Sequence, residues 1–112
     1  QGWGDAAWQA EVHCENGRNY WRSHGPRFET KAEIIVMSNS ADLVGMGMVD
    51  EVNLAQEIEM SYAANCSVDN SANCLGSSSL TDQMIHAQLV KNSFAINKVL
   101  YSFHESWFME QT

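Results

Sequence analysis

Residues 30–58, TKAEIIVMSNSADLVGMGMVDEVNLAQEI, decide how this chain folds. Thr30 and Glu33 make a capping box, in which hydroxyl and carboxylate satisfy the free amides of a helix start, so a helix runs from there to about Met37. The polar Ser38-Asn39-Ser40 ends it. Leu43-Val44-Gly45-Met46 is short and apolar, the pattern of a buried parallel strand. From Asp50 to Glu59, Val52, Leu54, Ala55 and Ile58 recur among acids at helical spacing and predict a second helix.

Toward the amino terminus, Gly25-Pro26 breaks regular structure, because proline lacks an amide donor, and Asn19 to Ser23 reads as a short strand before it. Trp3, Trp8, Ala6, Ala7 and Ala10 suggest a short helix closed by Asn16-Gly17. Toward the carboxyl terminus, the small and apolar run Ser61 to Val68 fits a third buried strand, closed by Asp69-Asn70 and a polar loop through Ser79. Thr81 then caps the longest element, where Ile85, Leu89, Ile96, Val99, Leu100, Phe103 and Trp107 mark one stripe of an amphipathic helix. Strand and helix alternate, so the expected fold is α/β: a partial mixed or parallel sheet with flanking helices, in a single segment 1–112.

The composition bounds the chemistry. Fourteen acids against six Lys and Arg give a net charge of −8, which excludes a phosphate-backbone partner held by clustered cations. A few local donors can still hold a small anion. No apolar run reaches spanning length, so no membrane partner is expected. Cys14, Cys66 and Cys74 are too few for a disulfide framework and imply a reducing, cytoplasmic location. Asn65-Cys66-Ser67 matches a glycosylation acceptor, but an expected buried strand and the lack of a leader count against its use. The start at Gln1 reads as a processed or trimmed product. His13, His24, His86 and His104 have no metal-ligand spacing, and no nucleophile elbow or nucleotide-type phosphate loop occurs.

Gly25-Pro26-Arg27-Phe28-Glu29-Thr30, then Ala41-Asp42-Leu43-Val44-Gly45-Met46 through Val52, then Val68-Asp69-Asn70, in this order and spacing, resemble the trimeric purine nucleoside phosphorylases and methylthioadenosine phosphorylases. The resemblance runs from about Tyr20 to about Leu100, under half of a usual family member, and omits the glycine-rich phosphate loop. It implies a phosphorylase/hydrolase-like fold ending in the long helix, no cofactor, phosphate as co-substrate, and a homotrimer or a companion chain.

By resemblance, Phe28 stacks on the purine and Glu29 accepts a hydrogen bond from the base edge. Physically, a flat heterocycle needs a π face for burial and a carboxylate for its ring donor. Taken alone, Phe28 reads as core and Glu29 as a charge favoured at a helix start. Met46 matches the methionine that packs on ribose, although a lone methionine is more often core. Tyr20 matches a tyrosine near the sugar. Asn70 matches the position that reads N7 and the six-substituent; an amide there donates to N7 and to a six-oxo group, which favours hypoxanthine and guanine nucleosides. The donor at N7 also opposes the charge that develops as the glycosidic bond breaks, which makes Asn70 the candidate catalytic residue. Asn is equally at home shaping a turn.

Four positions depart from the family pattern. Gly47 and Met48 stand where hydroxyls commonly donate to phosphate, leaving only backbone amides, of which Gly47 is the candidate. Asp69 stands where Thr is usual, which disturbs the tuning of Asn70. A histidine near the 5′-hydroxyl is replaced by Thr81 or Asp82, depending on the alignment. Two functions follow: phosphorolysis of a purine nucleoside to free base and ribose 1-phosphate, with a methylthioadenosine or methylthioinosine phosphorylase as a variant, or a non-catalytic fragment or interaction module of the same fold.

Overall fold

A computed structural model describes residues 2–76 and 81–111. The elements follow in the order α1 (Trp3–Gln9), β1 (Tyr20–Arg22), α2 (Lys31–Ser38), β2 (Leu43–Gly45), α3 (Val49–Glu57) and α4 (Asp82–Gln111). The chain divides into two compact units, residues 17–64 with 71–80, and residues 1–16 with 65–70 and 81–112.

In the first unit β1 and β2 pair in parallel, Tyr20 opposite Leu43 and Arg22 opposite Gly45. Asp42 locks the register at its start. Its carboxylate accepts from the Asn19 amide at 2.9 Å, and its own amide donates to the Asn19 carbonyl at 2.9 Å. Helix α2 begins as its sequence dictates: the Glu33 amide donates to Thr30 Oγ1 at 3.2 Å and the Thr30 amide donates to Glu33 Oε2 at 2.6 Å. Ile34 on α2 and Ala55 on α3 are buried, whereas Ile35, Val36, Leu54 and Ile58 are exposed.

In the second unit α1 lies on α4. Ala6, Ala7 and Val99 form the buried cluster, with Trp3, Ala10, Val12 and Phe103 packed around it, and the Trp3 and Phe103 rings stack at 4.3 Å. Two alanines at the contact let the helices approach closely. Helix α4 is capped as expected, the Met84 amide donating to Thr81 Oγ1 at 3.3 Å. Its inward stripe is more polar than predicted. Gln88, Asn92 and Ser106 are half-buried alongside Ile85, Ile96 and Val99, while Leu89, Leu100 and Trp107 face outward.

The third strand expected over 61–68 is not formed. Two strands pair among the described residues, and 61–66 are exposed on irregular backbone. Ala63, Ala64, Ser61 and Ser67 have little apolar surface to bury and weak strand preference, so without a neighbouring edge nothing favours a ladder. The Asn65-Cys66-Ser67 triplet is therefore not shielded in a strand: Cys66 is exposed. Helix α1 stops at Gln9 rather than near Asn16-Gly17, since Glu11 turns into the left-handed region at φ 56°. Of the polar loop expected through Ser79, residues 77–79 lie outside the described residues. No helix among the described residues is long and apolar enough to cross a membrane.

Candidate purine and ribose site

In the unit holding the sheet, residues 25–30 leave β1 and lead into α2. Gly25 has φ 67°, where side chains are strained, and a Cβ there would lie 2.7 Å from Met46 Sδ. Only glycine lets this loop lie against the Met46 side chain.

The next residues are tied down by charge. Arg27 Nη1 and Nη2 each donate to a Glu33 carboxylate oxygen at 2.9 Å, and Nη1 also donates to the Phe28 carbonyl at 3.1 Å. The Arg27 fork, with the Thr30 amide behind it, lowers the Glu33 pKa to about 2, and Glu33 in turn raises that of Arg27. Asn73 Nδ2 donates to the Glu29 carbonyl at 2.8 Å from the far side. These bonds leave Phe28 with 38% of its surface exposed beside a Glu29 that is 7% exposed. No buried side-chain oxygen among the described residues lacks a partner, so burial of Glu29 has not sealed an unpaired carboxylate away from solvent.

Met46 meets this loop at Gly25, and Tyr20 covers the adjoining residues 45–47. A Cβ on Gly45 would lie 3.1 Å from the Tyr20 ring, so the ring covers the end of β2. The Tyr20 hydroxyl donates to the Gly47 carbonyl and accepts from the Gly47 amide, both at 3.3 Å. The Gly47 amide, the candidate phosphate donor, is thus already engaged. Met48 follows at φ 75°, a conformation that costs a non-glycine residue about 1–3 kcal/mol. Helix α3 then opens with Asp50 and Glu51 in its first turn, and Asp50 approaches Arg22 at 3.9 Å. Two carboxylates there oppose an anion at this helix start.

Thus Tyr20, Phe28, Glu29, Met46 and Gly47 all belong to the unit of residues 17–64 and 71–80, whereas Asn70 belongs to the other. Asn70 ends a segment held to α4: Asn92 Nδ2 donates to the Val68 carbonyl at 3.0 Å and to Asp69 Oδ1 at 2.8 Å, and Ser67 Oγ donates to Asp69 Oδ1 at 3.0 Å. Among the described residues, no group of three or more His, Cys, Asp and Glu side chains is placed to hold a metal ion.

Sequence reading missed four of the residues that fix this geometry. Arg27 stands inside the quoted hexapeptide and is complementary to Glu33, a signal that was present but had no partner assigned. Asn73 and Asn92 act over 44 and 23 or more positions and leave no local signature. Gln88, whose Nε2 donates to Asn92 Oδ1 at 3.0 Å, shows only as a polar residue on an otherwise apolar stripe.

Comparison with known proteins places this sequence in a family. A family profile described as the phosphorylase superfamily matches residues 6–104. The probable 6-oxopurine nucleoside phosphorylase of Archaeoglobus fulgidus is 36% identical over 81 residues, 72% of this chain and 33% of the relative. The probable S-methyl-5′-thioinosine phosphorylase of Methanocaldococcus jannaschii is 37% identical over 92 residues, 82% of this chain and 36% of the relative. The S-methyl-5′-thioadenosine phosphorylase of Pyrococcus horikoshii is 53% identical over a shorter 38 residues, 34% of this chain and 15% of the relative. The chain spans about a third of the length of the first two. With a match over residues 6–104, the chain belongs to the phosphorylase superfamily.

Proposed function

We propose that this chain supplies the base- and ribose-binding part of an enzyme that cleaves six-oxo purine nucleosides with phosphate. The observation that carries this reading is the tethered pair of exposed Phe28 and buried Glu29. Phe28 offers a π face to the purine, and Glu29 accepts from a ring N–H. Met46 and Tyr20 pack near the sugar, and Asn70 donates to N7 and the six-oxo group. A phosphate oxygen bonds to the anomeric carbon as the bond to N9 breaks, and that electron pair leaves with the purine. A donor at N7 stabilises the charge it carries away. No cofactor enters; phosphate is the co-substrate, and the Gly47 amide contributes to holding it only by exchanging its bond to Tyr20.

The names of the relatives bear on the nucleoside. A 6-oxopurine nucleoside and S-methyl-5′-thioinosine share a six-oxo base and differ at the 5′ position, and Asn70 suits that base in either case. A methylthioinosine substrate is therefore the close variant of this reading.

The other reading is a non-catalytic module, favoured by the exposed apolar faces of Leu54, Ile58, Phe94 and Tyr101. Such faces suit self-association, as in a trimer, or a companion chain that completes the sheet. Exposed Cys14, Cys66 and Cys74 suit a reducing cytoplasm. Incubation of the chain with inosine separates these readings. Hypoxanthine release that requires phosphate supports the enzyme. Hypoxanthine binding without release, weakened by Phe28→Ala, leaves the module. Absence of both overturns the purine site.

A further inference from the structure

Helix α4 carries a second stripe besides the one that packs on α1. Phe94, Asn97, Tyr101, His104, Phe108 and Gln111 alternate at spacings of three and four, the heptad pattern of a helix–helix seam. All six are exposed, Phe94 and Tyr101 at 73% and Phe108 at 57%, and all lie in one compact unit. Beside them Leu100 and Trp107, with Tyr101 and His104, line a groove of about 690 Å³. Single exposed aromatics are ordinary on a protein surface, but three at heptad intervals along an apolar groove form a contiguous patch, the mark of an interaction site.

The flanking residues argue for a second copy of the same helix. In a two-fold pair residue i touches j while j touches i. With α4 antiparallel to itself and Tyr101 opposite His104 of the second copy, Phe108 falls opposite Asn97 and Phe94 opposite Gln111, so each aromatic ring meets a polar side chain rather than another bulky apolar one. Residues 94–111 overlap, about 27 Å of helix. The same register sets Lys98 beside Glu105 on one flank and Leu100 beside Trp107 on the other, each twice by symmetry. A shift of one heptad matches Glu105 with Lys91 but sets Lys98 against Lys98 and Trp107 against Ser93. A parallel pair sets Leu100 against Glu105 and Ser93 against Lys98, with no opposite charges matched. We infer that α4 is a self-pairing helix, through which two copies of this chain associate in an antiparallel, two-fold seam centred between Tyr101 and His104. The pairing is independent of the purine reading.

Sedimentation equilibrium of the chain tests it. The chain should be a dimer at micromolar concentration. Tyr101→Ala combined with Phe108→Ala removes four aromatic rings from the seam at exposed, helix-tolerant positions, and should weaken the dimer by roughly 100-fold or more with helix content unchanged by circular dichroism. Lys98→Glu or Glu105→Lys alone turns two attractive contacts into repulsive ones and should weaken it about tenfold, whereas the two together restore opposite charges and should return the dissociation constant to within about threefold of the unaltered chain. A chain that stays monomeric at micromolar concentration would assign this face to a different partner, and a trimer would exclude a two-fold seam; either overturns the inference. So would a dimer that the alanine variant leaves intact, or a double charge swap no tighter than the single changes.

Discussion

Residues 27–30 and residues 67–70 are both irregular backbone held from outside, the first by the Arg27–Glu33 fork at 2.9 Å and the second by the Asn92 amide at 2.8 and 3.0 Å. The fork joins side chains that are 65% and 39% exposed, so water and salt compete with it at every moment. The amide network is half-buried and joins one carboxylate to neutral donors. An exposed ion pair loses little when broken but responds to its solution. A half-buried network ignores the solution, and losing one donor leaves a carboxylate unmatched. One segment is adjustable and the other is committed.

The largest expected effect comes from the backbone approach that both the fork and Met46 depend on. Gly25→Val places a β-branched residue at φ 67° and into Met46 Sδ, and it should destabilise the first unit by about 3 kcal/mol, combining left-handed strain with overpacking. A urea midpoint within error of the unaltered chain would show that residues 25–30 are not pinned against Met46.

Next comes the charge at the base edge. Glu29→Gln should weaken hypoxanthine binding by about 1–3 kcal/mol with the fold unaffected, because a charge-assisted acceptor becomes a poorer, mismatched one. If melts shift instead and calorimetry does not, Glu29 serves the start of α2 rather than a purine.

A smaller effect is that of pH on the fork. The folded pKa of Glu33 is about 2, below the ordinary carboxylate value of 4.5, so its stabilisation is complete above about pH 4.5 and fades as pH falls toward 2. The stability gap between the chain and Glu33→Gln, followed by urea unfolding, should therefore be constant from pH 7 to 5 and narrow below 4.5. A gap that persists unchanged at pH 2.5 would mean that the carboxylate charge contributes nothing.

Smallest is the response to salt, which tests the contrast directly. Raising the ionic strength from about 0.15 to 1 M shortens the screening length from about 8 to 3 Å. Amide exchange at Phe28 and Glu29 should rise modestly while that at Val68 and Asp69 does not. Equal acceleration at both segments would erase the distinction drawn here.

Much of the sheet-bearing unit was legible because its signals are local. The Thr30–Glu33 box, the Leu43–Gly45 run and the spacing of Val52 and Ala55 each act within a few residues, and the elements fall within one or two positions of expectation. The segment 61–68 was misread because an apolar run can only propose a strand, and an available edge has to accept it. The stripe on α4 was misread for a related reason: Leu89, Leu100 and Trp107 have the right spacing, but the facing surfaces take Asn92 and Ser106 instead. At the site, the hexapeptide named Phe28 and Glu29, while the bonds that hold them run from Arg27 and Asn73.

The contact of α1 with α4 has a consequence for how the chain reaches its fold. Ser106 Oγ donates to Gln9 Oε1 at 3.0 Å across 97 positions, and Ser102 Oγ reaches the same oxygen across 93. The β1–β2 ladder closes across only about a quarter of that distance, Tyr20 to Leu43. Closing a longer loop adds only about 0.6 kcal/mol per doubling, so equilibrium hardly distinguishes the two, but the order of events does. During synthesis the parallel pair can form while α4 is still being made, and Trp3 cannot meet Phe103 until nearly all of it has emerged. Until then the alanine face of α1 stands open, so the interval between making Gln9 and making Ser106 is when this chain most needs a chaperone.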